Sequence, residues 1–140
     1  GRRVTASGMK LSMMIILGLA GAEGSERHAL ATAKAINIIK PTHLSALCLM
    51  LYRGSELLDQ YEAGKFNPLS PAGLMRELKL IIENIDLPAD RHCLFRSNHV
   101  SNYVQLAATL PHDKQRLLRD IDYSIAQLSK LKSWDVYNYN

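Results

Sequence analysis

Arg96, Asn98, His99, Ser101, Asn102 and Tyr103 form a dense polar cluster within residues 96–103. Arginine offers a fixed positive charge and a donor fork that fits a carboxylate. Histidine gains and loses its proton near neutral pH. Asn98 and Asn102 each carry both donors and acceptors. Two uses of the cluster are open: contact with a substrate or cofactor, or a hydrogen-bonded loop. The segment follows on from a short third strand candidate, His92 to Arg96.

A second candidate stretch is Leu11 to Ser25. Met13 to Leu17 is an unbroken apolar run, followed by Gly18, Gly21 and Gly24 and then by Ser25. The run is too short to span a bilayer and reads as a strand buried on both faces. Glycines after such a strand let the backbone turn sharply and approach a ligand. Ligands of open α/β sheets and α/β barrels bind at the carboxyl ends of strands. Gly18 to Ser25 is therefore the first place to look for a small-molecule site, the other reading being a plain strand-to-helix turn. The spacing is neither the dinucleotide fingerprint nor a phosphate-binding loop.

Composition narrows the classes. The chain has 140 residues and a net charge of +4, enough for one modest domain, residues 1–140. Its basic residues are scattered and do not alternate with aromatics, so the footprint of a nucleic-acid binder is missing. No signal peptide or membrane segment is visible. Cys48 and Cys93 lie in apolar contexts, as buried free thiols do. Two distant thiols cannot build a zinc or iron–sulfur site by themselves. The opening Gly-Arg-Arg, without an initiator methionine, leads us to expect a piece of a longer protein.

The elements that must position these residues alternate. Gly1 to Gly8 reads as the end of a helix closed by glycine. Ser25 is the expected N-cap of an alanine-rich helix through Ile39, with Pro41 just past its end. His43 to Leu51 is a second apolar run of strand length. Ser55 caps a short helix through Tyr61 that Gly64 closes. Ser70-Pro71 starts a helix carrying Leu74, Leu78, Ile81, Ile82 and Ile85 at helical spacing. Pro111 is expected to start a last helix with the stripe Leu117, Leu118, Ile121, Ile125 and Leu128. Trp134 to Asn140 carries no pattern. His28, on a helix, reads as a surface residue, as do His43 and His92. His112 reads as lying near a helix N-terminus, and Asp120 and Asp122 as a solvated face.

Taken together these segments resemble the C-terminal half of a radical S-adenosylmethionine (radical SAM) enzyme. Three stretches carry the likeness: Met14-Ile-Ile-Leu-Gly-Leu-Ala-Gly21 with Ser25 to Ala33, Leu47-Cys-Leu-Met-Leu51 with Gly54-Ser55 and Leu57, and Phe95-Arg-Ser-Asn-His-Val-Ser-Asn-Tyr103 with Leu110-Pro111. The third is similar to a signature of one uncharacterised branch of these oxidoreductases. The family's fifth-strand motif, Gly-x-Ile-x-Gly-x-x-Glu, is matched at Ile16 and Gly18, while Met14 and Gly21 stand where its first Gly and its Glu would be. Arg53 and Glu56 replace two prolines at the next turn.

The resemblance implies an α/β fold, the C-terminal half of a partial (β/α)6 barrel with parallel strands and additional C-terminal helices. It implies a cytoplasmic enzyme that binds S-adenosylmethionine and a 4Fe–4S cluster. Ile16, Gly18 and Gly21 would line the adenosyl part, and residues 44–51 the next wall. The cluster's C-x-x-x-C-x-x-C motif has no counterpart here, so the chain is expected to hold no cluster of its own. The implied partners are the N-terminal half of the barrel and a small-molecule substrate. Arg96, Asn98, His99 and Asn102 are the candidate substrate or cofactor contacts, expected to face the same cavity as Gly18 to Gly21. The competing expectation is a non-enzymatic α/β module for binding or assembly.

Overall fold

The computed structural model describes residues 1–130, and the Trp134–Asn140 segment lies outside the described residues. Nine elements follow in order: α1 (Arg2–Ala6), β1 (Ser12–Leu17), α2 (Gly21–Ile39), β2 (His43–Cys48), α3 (Glu56–Glu62), α4 (Pro71–Asn84), β3 (Cys93–Ser97), β4 (Leu106–Leu110) and α5 (Lys114–Leu128). The strands form one sheet in the order β1-β2-β3-β4. β1, β2 and β3 are parallel, and β4 returns antiparallel to β3. The fold is thus α/β with a mostly parallel sheet. Among the described residues no helix is long and apolar enough to cross a membrane.

Local signals place several boundaries. Ser55 Oγ accepts the Leu58 N–H and opens α3, and Ser70 Oγ accepts the Gly73 N–H and opens α4 with Pro71 at the first helical position. Gly8 and Gly64 stop α1 and α3 with φ of 83° and 68°, a region open to glycine at little cost. α2 departs from expectation. It begins at Gly21, four residues before Ser25, and Ser25 lies inside it. β4 was not expected at all, and the last helix begins at Lys114, three residues after Pro111.

The strands are not buried on both faces. α2, α4 and α5 form one helical layer, with α4 against both others. Under it lie Ile15, Leu17, Leu44, Ala46, Cys48, Cys93, Phe95, Ala108 and Leu110, together with Leu74, Leu78, Ile81, Ile82, Leu117 and Ile121 from α4 and α5. Fully burying one such Leu, Ile or Phe is worth about 1.5–3 kcal/mol. The alternate strand positions face away from the helices. On β1, Met14 is 72% exposed and Ile16 41%. Ser45 and Leu47 on β2 are half-buried, and Arg96 on β3 is exposed. The apolar run of β1 therefore covers two different surfaces: a packed one beneath the helices and an open apolar one opposite.

Candidate functional site

Because β1, β2 and β3 are parallel, Gly18, Leu49 and Asn98 all leave the sheet at the same end. Two clusters meet there, one beneath the helices and one on the open face.

The first is built on Glu77 of α4, whose side chain is fully buried. One carboxylate oxygen, Oε1, accepts the Gly18 N–H at 2.8 Å and lies 3.1 Å from His28 Nδ1. The other accepts the Ser25 hydroxyl. A carboxylate only accepts, so the His28 contact needs its proton on Nδ1. A buried carboxylate is tolerable because three donors 49, 52 and 59 residues upstream converge on it. This explains why Ser25 is not an N-cap: its hydroxyl turns inward to Glu77. His28 is likewise no free surface residue, its side chain being 20% exposed.

The glycines of this turn serve packing. Gly18 has φ of 82°, and a Cβ there would lie 2.7 Å from Leu74 Cδ2. Gly21 has φ of 66°, and a Cβ there would meet the Asn67 carbonyl and the Phe66 ring, each at 3.1 Å. The Gly21 N–H is bonded to the Gly18 carbonyl. Both residues are buried. Their N–H groups are thus taken by the chain itself, and both residues shape the turn.

The second cluster is the Arg96–Tyr103 segment. Phe95 is fully buried and anchors it. Asn102 reaches across to β2, where Oδ1 accepts the Cys48 N–H at 2.9 Å and Nδ2 donates to the Ala46 carbonyl at 2.8 Å. A second Nδ2 bond runs to Ser97 Oγ at 3.0 Å. Ser101 Oγ also accepts from the Cys48 N–H, at 3.1 Å. Asn102 and Ser101 therefore complete the sheet, while Asn98 and His99 are left exposed.

Two shallow hollows lie side by side on the open face. One, of about 180 Å³, is lined by Ile16, Leu47, Leu49, Met50, Tyr52 and His99 among others. The other, of about 250 Å³, is lined by Met14, Ser45, Leu47, Arg96, Asn98 and His99 among others. The structure thus brings Ile16, Arg96, Asn98 and His99 to one surface, with Asn102 supporting it. Gly18 and Gly21 share that end of the sheet but are buried under Leu74 and Phe66 and line neither hollow.

Both thiols are buried and unpaired. Desolvation pushes Cys48 and Cys93 up from 9.0 to about 11. Such buried, protonated thiols are poor nucleophiles near neutral pH. No group of three His, Cys, Asp or Glu among the described residues could hold a metal ion. The donor set does not fit an iron–sulfur cluster. Ile16 presents an apolar side chain beside Leu47 in one of the hollows.

Glu77 carried a signal in the sequence. It stands three residues after Leu74 and four before Ile81, on the apolar stripe of α4. A carboxylate on such a stripe must find buried donors. No family model matches the chain, and no curated protein matches it.

Proposed function

We propose that this chain is one wall of the active-site cavity of a radical SAM oxidoreductase, the C-terminal part of its partial barrel. One observation carries the reading: three parallel strands have one face packed under helices and the other open, apolar at Met14, Ile16 and Leu47 and polar at Ser45 and Arg96, with hollows at their carboxyl ends. That face suits a cavity wall, since ligands of α/β barrels gather at the carboxyl ends of the strands.

S-adenosylmethionine on a reduced 4Fe–4S cluster supplies one-electron chemistry when both are bound. The cluster does not fit the residues described here, and no step is assigned through it. The chain's own residues bind and shield. Ile16 and Leu47 offer an apolar surface to the adenosyl part and exclude water from it. Glu77 fixes the turn that follows Ile16, and Asn102 with Ser101 fixes the end of β2. Both devices keep the wall rigid, as a reactive intermediate requires.

The coding sequence upstream of Gly1 tests the reading. A C-x-x-x-C-x-x-C motif there, and conversion of S-adenosylmethionine to 5′-deoxyadenosine by the anaerobically reconstituted longer protein, is the expected result. Absence of the motif would leave the chain as a non-enzymatic module. That second reading has its own observation, the bare outer edge of β1. A groove of about 410 Å³ runs there between Met13–Ile16 and His28, Ala31, Thr32 and Ala35 of α2.

A further inference from the structure

We propose that the hollow over Ser45 and Arg96 is a carboxylate subsite, which takes the acid group of an otherwise apolar molecule. It rests on the reading above only in making that molecule the enzyme's substrate.

The register sets the geometry. Met14, Ser45, Arg96 and Ala107 are successive neighbours across the four strands, on the open face. Arg96 is not a loose surface cation. Its NH1 donates to the Phe95 carbonyl at 2.7 Å and lies 3.4 Å from that of Ala108. These bonds pin one end of the guanidinium and leave the Nε and NH2 donors unspent. That remaining edge is the side-on fork that matches two carboxylate oxygens.

The charge is also uncompensated. Arg96 has no ion pair among the described residues. Among the described residues no Asp or Glu lines the hollow. Backbone carbonyls orient a guanidinium but do not neutralise it.

His99 supplies a second donor. The Ser101 N–H donates to His99 Nδ1 at 3.2 Å, and the Ser101 hydroxyl lies 2.9 Å from the same nitrogen. A nitrogen that accepts a backbone N–H carries no proton, so the neutral ring holds its proton on Nε2. Nε2–H is then a donor on a ring that lines both hollows. Asn98 adds an amide to the same rim. The opposite wall, Met14 and Leu47 with Ile16 beyond, is apolar and suits the rest of the ligand. A phosphate dianion gathers more than one cation or a helix N-terminus, and one permanent charge fits a monoanion better.

The experiment is an NMR titration of the 140-residue chain with hexanoate, hexan-1-ol and inorganic phosphate, read at the Arg96 Nε–H and the His99 ring. Hexanoate should shift these signals saturably, and hexan-1-ol and phosphate should not. Arg96→Gln should weaken hexanoate roughly tenfold or more, as loss of a charged bidentate contact does. Arg96→Lys should retain part of the affinity, keeping the charge without the fork. If Arg96→Gln does not fold, His99→Phe serves instead and should weaken hexanoate several-fold. Equal shifts with hexan-1-ol, equal affinity for phosphate, or unchanged affinity in the folded variants would overturn the subsite. The two proposals fail separately. Hexanoate binding without 5′-deoxyadenosine formation by the longer protein keeps the subsite and removes the radical reading; nucleoside formation without hexanoate binding does the reverse.

Discussion

Asn102 stands beside Leu47 as a strand residue would, although it belongs to no strand. Its amide accepts the Cys48 N–H and donates to the Ala46 carbonyl, the pair of bonds that a residue of β3 would make in a parallel ladder. β3 ends at Ser97, and a side chain five residues further on continues its hydrogen bonding.

Asn102→Asp should therefore destabilise the fold more than a loop substitution does. The aspartate keeps the acceptor for Cys48 but turns a second oxygen toward the Ala46 carbonyl. The expected loss is about 1–3 kcal/mol in urea unfolding, the range for an unmet buried polar group. A loss within ~0.5 kcal/mol would reduce Asn102 to a surface loop residue.

Glu77→Ala should cost about 3 kcal/mol or more, because it strands the Gly18 N–H, the Ser25 hydroxyl and His28 Nδ1 together. Glu77→Gln should cost less, since the amide oxygen can still accept the Gly18 N–H. Thermal or urea unfolding ranks the two. Equal losses would mean that the intact carboxylate with both acceptors, and not the side chain's volume or a single acceptor, is what α4 contributes.

The two outer strands predict the behaviour of the chain in dilute solution. On β4, Arg116 NH2 donates to the Ala107 carbonyl at 3.0 Å, and Asp113 Oδ2 accepts the Thr109 N–H at 2.8 Å. Among the described residues β1 has no such cover: the Leu17 carbonyl points to β2, so by alternation the Met14 and Ile16 backbones point outward. An uncovered apolar edge promotes association. Sedimentation should show concentration-dependent self-association, reduced by Met14→Lys. A monomer at all concentrations would contradict this.

Alkaline pH should destabilise the protein through its thiols. Cys48 and Cys93 rise from 9.0 to about 11 in the folded chain because burial disfavours the thiolate. The unfolded chain thus releases protons between pH 9 and 11 that the folded chain retains, and stability falls as pH rises through that window. Below pH 9 this contribution is intact. Replacing both cysteines by alanine should flatten the decline, as urea midpoints across the range would show.

Local devices were legible in the sequence. Ser55, Ser70-Pro71, Gly8 and Gly64 announce element ends because their partners lie within a few residues. The buried thiols were legible from apolar neighbours. Long-range devices were not. Ser25 resembles an N-cap in every local respect, and a carboxylate 52 residues away decides otherwise. Leu106 to Leu110 gives no sign of its partner strand, and its place depends on β3. The apolarity of Met14, Ile16 and Leu47 is plain in the sequence, but not whether anything covers it. For the candidate site, Arg96, Asn98 and His99 were legible as a group. That Asn102 is structural, while His99 is free to donate, depends on Cys48 and Ser101.

The reversed direction of β4 has an architectural consequence. A tube of strands needs each wall to hand over to the next until the last meets the first. Here the last wall runs backwards, and α5 seals its outer rim. Among the described residues the strands thus form an open sheet whose β4 edge is met by Arg116 and Asp113 and not by another strand. Arg96 lies one strand in from that edge, on the open face.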